Sequence, residues 1–249
     1  MSHQARILLA SLRQSLLRAA GCLALPVLVG AGLLAQSAAP ASADVDCRSE
    51  PAAGIVWQGC NKSSIMLGGS DLSGANLTEA DFSATDLRGA NLQGANLEKA
   101  VLIRTALGGA NAAGANFARA EAYRAGFQGV AGKGINFSSA ELQRADFTGA
   151  DLEGADFGKS ELGRAIFDDA LITGTNFVSA NLSRAHLEKA RFAGPIDFSG
   201  AFLYFTRIEG IDLSAAKGLT QAQIDQACGD EGTVLPRGLK PSASWPCKQ

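Results

Sequence analysis

The 249-residue chain is poor in the groups from which catalytic centres are usually assembled. It has two His, His3 and His186, and only the second lies beyond the N-terminal segment. A Ser/His/Asp arrangement therefore has no series of partners to draw on. Despite 29 glycines there is no Gly-x-x-x-x-Gly-Lys-Ser/Thr stretch to cradle a phosphate. Aromatic anchors are scarce, with two Trp and two Tyr, and no cysteine falls between Cys60 and Cys228. A formal charge of −2 excludes both a polycation built for nucleic acid and a polyanionic chain. The acidic pairs Asp168-Asp169 and Asp230-Glu231 read as surface turns. No catalytic, metal or cofactor site is expected.

What the chain has in abundance is one five-residue phrase, running from Ile65 to about Leu213. It reads Ala, then Asn or Asp, then Leu or Phe, then two mostly small or polar residues. Ser70-Asp71-Leu72-Ser73-Gly74 and Ala75-Asn76-Leu77-Thr78-Glu79 are two instances. The phase holds from Leu67 to Phe192, moves by one residue near Pro195, and resumes at Phe198, Leu203, Ile208 and Leu213. A period of five fits neither an amphipathic helix nor a strand. Over this length it implies stacked units, none of which buries its apolar residue alone.

The phrase resembles the pentapeptide-repeat family. That resemblance implies an all-β solenoid, a right-handed quadrilateral β-helix in which four pentapeptides make one coil, with about seven to eight coils here. It also implies that the central Leu or Phe and the Ala two residues before it point inward. Residues twenty apart share their chemistry, which independently supports a four-pentad coil. Phe117, Phe137, Phe157 and Phe177 form one series, joined by Phe198 after the shift, and Phe127, Phe147 and Phe167 form another. Glycine recurs from Gly74 to Gly194 and from Gly69 to Gly149 at the same interval. The remaining corners carry Glu79, Lys99, Arg119 and Lys159, or Arg104, Arg124, Arg144, Arg164 and Arg184. Positive φ favours Gly, so two corners of each coil are expected to be type II turns and two another type. Ala112, Ala122 and Gly132 stand where Leu or Phe is expected, which predicts a narrowed or bulged coil around Ala122 to Gly134. A further bulge is expected at Gly194-Pro195.

Residues 1–43 have the layout of a cleaved secretory signal: Arg6, Arg13 and Arg18, an apolar stretch from Ala19 to Ala35, and Ala41-Ser42-Ala43 before Asp44. Pro26 and the shortness of the apolar run oppose a membrane anchor. The mature chain is expected in the periplasm or outside the cell. Of its four cysteines, Cys47 and Cys60 precede the solenoid while Cys228 and Cys247 follow it. The intervening coils leave Cys47–Cys60 and Cys228–Cys247 as the feasible disulfides in an oxidising compartment. Residues 44–64 are read as an N-terminal cap, 65–216 as the β-helix, and 217–249 as a C-terminal cap. Thr220 and Gln223 fit a capping box that opens a short helix there, and Trp245 is placed as a lid.

On the surface, Arg104, Arg124, Arg144, Arg164 and Arg184 form a column, with Tyr123 beside it and Tyr204 further along the same side. Glu121, Glu141 and Glu161 precede three of these arginines by three residues, which suggests a ladder of surface salt bridges. The functional alternative is a stripe that contacts an unidentified macromolecular partner, either a protein or an anionic component of the envelope. No nucleic-acid partner is expected. A non-catalytic exported binding or scaffold solenoid is the leading reading. The alternative is a cytoplasmic DNA mimic that interacts with type II topoisomerases, like the quinolone-resistance members of the family; the secretory segment and the arginine column oppose it.

Overall fold

The structure, a computed structural model, describes residues 45–247, so the expected signal segment lies outside the described residues. Each pentad contributes one bridging residue, one inward residue and a two-residue turn. Asp71 bridges Asn91 and Asn91 bridges Asn111, both in parallel, so rungs before the slip near Pro195 join positions twenty residues apart. The Leu77 N–H donates to the Asn96 carbonyl at 2.7 Å, and the Asn96 N–H donates to that of Ala75 at 2.9 Å. Each corner closes on itself; the Ala75 N–H donates to the Leu72 carbonyl at 3.1 Å. The ladder bonds thus run between coils, along the axis of a right-handed quadrilateral β-helix.

The inward positions are buried as the alternation demands. Leu77, Phe82, Leu87 and Leu92 are fully buried, and so are Ala80 and Ala90. Phe137, Phe157, Phe177 and Phe198 stack at 5.1 to 5.4 Å between ring centres. From the opposite wall, Phe127, Phe147 and Phe167 stack at 4.9 and 5.0 Å. The two columns meet edge to face across the core, with Phe147 and Phe157 at 5.5 Å and 84°, a favoured aromatic geometry. Where threonine replaces the small inward Ala, its hydroxyl is satisfied: Thr105 Oγ1 donates to the Phe82 carbonyl at 2.8 Å.

Three sequence expectations need correction. First, all four corners have the left-handed φ, including those without glycine: Arg104 has φ of 57° and Arg144 of 61°, beside 62° at Gly74. A coil closed from four equal pentads demands the same turn at each corner, whichever side chain stands there. Second, the coil around Ala122 to Gly134 is not bulged. Its bridges Asn111↔Ala131 and Glu121↔Glu141 are in register. The buried Val130 and Ile135, in place of Ala, fill the space left by the small central residues. Third, regular turns begin at Ala53-Gly54 and bridging at Val56, earlier than the boundary at Ile65. Trp57 and Lys62 occupy inward positions of this first coil, so the pentapeptide phrase is disguised there. Lys62 sets its ammonium 3.5 Å from the centre of the Trp57 ring, a cation–π contact. Burial, partly offset by Asp46 and Glu50, lowers its pKa.

The slip at Pro195 is a real insertion. The turn is lost at Ala193-Gly194, and the rungs lengthen to Asn176↔Asp197 and Asn181↔Phe202. At the ends, Cys47–Cys60 and Cys228–Cys247 are bonded, with Cα atoms 5.4 and 5.3 Å apart. Helix α1 spans Gln221–Gln226 and is N-capped by Thr220 in a reciprocal capping box with Gln223. Gln223 also donates to the Phe198 and Ala201 carbonyls at 2.9 and 2.8 Å, closing bonds that the last coil would leave open. Trp245 packs against the core and donates from Nε1 to the Ala227 carbonyl at 2.7 Å. Among the described residues no helix is long and apolar enough to cross a membrane.

Candidate functional site

One wall of the coil is built from pentads centred on Leu102, Ala122, Leu142, Leu162 and Leu182. Each of these is followed two residues later by Arg104, Arg124, Arg144, Arg164 or Arg184. All five arginines are exposed and stand at the corner, one coil above another. The ladder spacing puts successive backbones about 4.8 Å apart. Tyr123 is half-buried, and the Arg124 guanidinium carbon lies 5.2 Å from its ring centre.

The expected salt-bridge ladder does not form. Among the described residues, none of these arginines has a carboxylate within ion-pair distance. The pairs that do form show why. Lys99–Glu79 and Lys133–Glu153 join residues 20 apart, while Arg119–Glu98 and Lys189–Asp168 join residues 21 apart. Pairs form between stacked coils or at a separation of two within one pentad, as Arg88–Asp86 and Arg207–Glu209 do. A separation of three instead places the acid on the strand and the arginine at the second residue of the turn. On the arginine wall the slot 21 residues earlier holds Ile103, Tyr123, Gln143 or Gly163, so no acid is supplied. Of the glutamates, Glu161 accepts from Asn181 Nδ2 at 2.7 Å.

At its C-terminal end the column gives way to aromatic residues. Phe202, Tyr204 and Phe205 are 48%, 44% and 42% exposed. Tyr204 and Phe205 meet edge to face at 4.6 Å. Sequence reasoning singled out Tyr204 but missed Phe202 and Phe205. Phe205 falls in the arginine slot after the one-residue shift, and that was the signal available. His186 occupies an outward position with Nδ1 3.0 Å from Glu188 Oε1.

Eight copies of the family model described as pentapeptide repeats match residues 67–102, 133–169 and 165–194. The chain belongs to the pentapeptide-repeat family. Solved structures similar to this pentapeptide-repeat protein include HetL, involved in heterocyst differentiation regulation in Nostoc sp. strain PCC 7120. That match has 23% identity, 74% coverage of this chain, 84% of HetL, and a TM-score of 0.41. The plasmid-mediated fluoroquinolone resistance protein QnrB1 matches at 20% identity, covering 70% of this chain and 84% of its own, with a TM-score of 0.39. A pentapeptide-repeat protein of the Arabidopsis thaliana thylakoid lumen matches at 31% identity over 43% of this chain and 67% of its own, with a TM-score of 0.22. Among curated proteins none matches the chain.

Proposed function

We propose that this pentapeptide-repeat protein is a non-catalytic, exported solenoid that binds another macromolecule through its arginine wall. The observation that carries this reading is the column from Arg104 to Arg184, exposed and without an ion-pair partner among the described residues. Like charges stacked at coil spacing repel one another, and an anionic partner would remove that repulsion. Arg and Tyr are also residue types enriched at binding hot spots. The two disulfides fit an oxidising compartment, in keeping with the signal layout of residues 1–43.

The test is the double substitution Arg104→Glu with Arg184→Glu, followed by capture of partners from an envelope fraction. Loss of wild-type partners by a protein that melts as before is the expected result. Capture of the same partners would refute the contact wall. A cytoplasmic topoisomerase-interacting DNA mimic would present an acidic face where this wall presents arginine. Recovery of the protein from the cytoplasm on fractionation would favour that alternative.

A further inference from the structure

We propose that the arginine wall takes a linear acidic polysaccharide with one carboxylate per sugar, laid along the solenoid axis from Arg104 towards Tyr204. The proposal rests on the reading of this wall as the contact face.

Charge pitch comes first. The arginines recur once per coil, about 4.8 Å apart. A chain of six-membered sugar rings linked end to end carries one charge per ring on alternating edges, so charges on one edge recur every second ring, a step comparable with two coils and in register with every second arginine. An extended peptide places side chains on one face only about every 6.7 Å. A nucleic acid strand in a duplex carries one phosphate per roughly 3.4 Å. Both fall out of step with the column within a few coils.

The backbone supplies a second argument. A peptide that binds by strand addition needs free N–H and C=O groups. On this wall the coils use them on each other: the Arg124 N–H donates to the Gln143 carbonyl at 3.0 Å, and the Glu141 N–H to that of Ala120 at 2.9 Å. An occupant of this wall therefore meets no open strand edge to pair with.

Width is the third. Glu121, Glu141 and Glu161 are exposed on the same wall. A flat anionic surface such as a membrane would press against them, whereas a narrow chain can follow the arginine corner. A shallow hollow lies there between Arg144, Arg164 and Arg184, open at Gly163 and ending on Tyr204. A β-carbon at Gly163 would meet nothing closer than 3.8 Å. Ring-sized space beside guanidinium forks suits a carboxylated sugar, since the fork matches carboxylate geometry. The exposed rings of Tyr204 and Phe205 offer apolar faces on which the C–H side of a further sugar can stack.

The test is calorimetric titration of the disulfide-bonded protein, at low salt, with oligogalacturonate and oligomannuronate as long as the column. Carboxyl-reduced oligomers, polyglutamate, a single-stranded oligonucleotide and phosphatidylserine vesicles serve as comparators. The uronates should bind more tightly than every comparator, with affinity falling as salt rises. Arg144→Ala and Tyr204→Ala should each weaken binding by about tenfold or more at unchanged melting temperature. Failure of both uronates to bind, or equal binding of any comparator, overturns the proposal. Envelope capture with the Arg104→Glu, Arg184→Glu protein keeps the two readings apart. Partners lost there without uronate binding preserve the wall and refute the polysaccharide.

Discussion

Two adjacent walls of the same coil treat their outward groups in opposite ways. On the wall that carries Asn96, Asn116 and Asn136, polar groups satisfy one another. Asn116 donates from Nδ2 to Asn96 Oδ1 at 3.0 Å and accepts from Asn136 Nδ2 at 2.9 Å. It also accepts the Ala118 backbone N–H at 3.1 Å. On the arginine wall the equivalent strand positions hold Glu121 and Glu141, for which no hydrogen bond forms among the described side chains. A short amide reaches both the turn and the next coil, and identical amides pair because each has a donor and an acceptor. Stacked arginines have only donors, and stacked carboxylates only acceptors. The first wall is complete within the chain, whereas on the second the arginines have no ion-pair partner among the described residues.

The comparison can be broken from the core outward. Phe157→Ala should cost about 3–5 kcal/mol, because it removes a ring stacked between two others; a loss under about 1 kcal/mol in urea titration would refute the assigned packing. Next in size, Asn116→Ala should cost about 1–3 kcal/mol, since it leaves the half-buried Asn136 amide and the Ala118 N–H without partners. The matching change Glu141→Ala, measured the same way, should stay within about 0.5 kcal/mol. Arg144→Gly should raise stability by roughly 0.5 kcal/mol. Relief of a left-handed backbone there outweighs the extra freedom of Gly in the unfolded chain. A loss instead would mean that the arginine supports the rod.

The smallest effect concerns acid. Asp86 is held down to about 2, chiefly by the Arg88 side chain and next by its backbone N–H. Asp197 and Asp212 are lowered chiefly by hydrogen bonds from the Ser199 and Ser214 side chains. Carboxyls depressed in the folded state stabilise it above their unfolded value of about 3.9 and lose that contribution as pH falls below it. Melting temperature should therefore drop between about pH 5 and pH 2, and Asp86→Asn should flatten the drop slightly. A curve level through that range would contradict the bonding seen on these walls.

Much of this architecture was legible before the coordinates. Inward positions follow directly from the pentad, and phenylalanines twenty apart foretold the stacks, because burial and stacking select side chains. Corner conformation was not legible. Glycine tolerates a left-handed φ but does not monopolise it, so its absence at Arg104 said nothing about the turn. The first coil was hidden because Trp57 and Lys62 fill inward positions with atypical residues. The misjudged salt-bridge ladder came from a separation of three, when the ion pairs of this fold join residues two apart within a pentad or twenty to twenty-one apart between coils. Read at the longer interval, the sequence already shows Ile103, Tyr123, Gln143 and Gly163 where a compensating acid would have to stand.

Bonds that run along the axis also decide how the solenoid responds to force. A pull on one end loads the terminal coil's rungs first and releases them as a unit, since each rung joins residues about twenty positions apart. Freed, such a coil contributes roughly 70 Å of contour length. The Cys228–Cys247 bridge, closing a separation of 19 residues, withholds that last segment from extension. Under tension the chain would lengthen in equal instalments whose size is set by the repeat and not by the strength of any one coil. The extra residue near Pro195 adds a single slightly longer step.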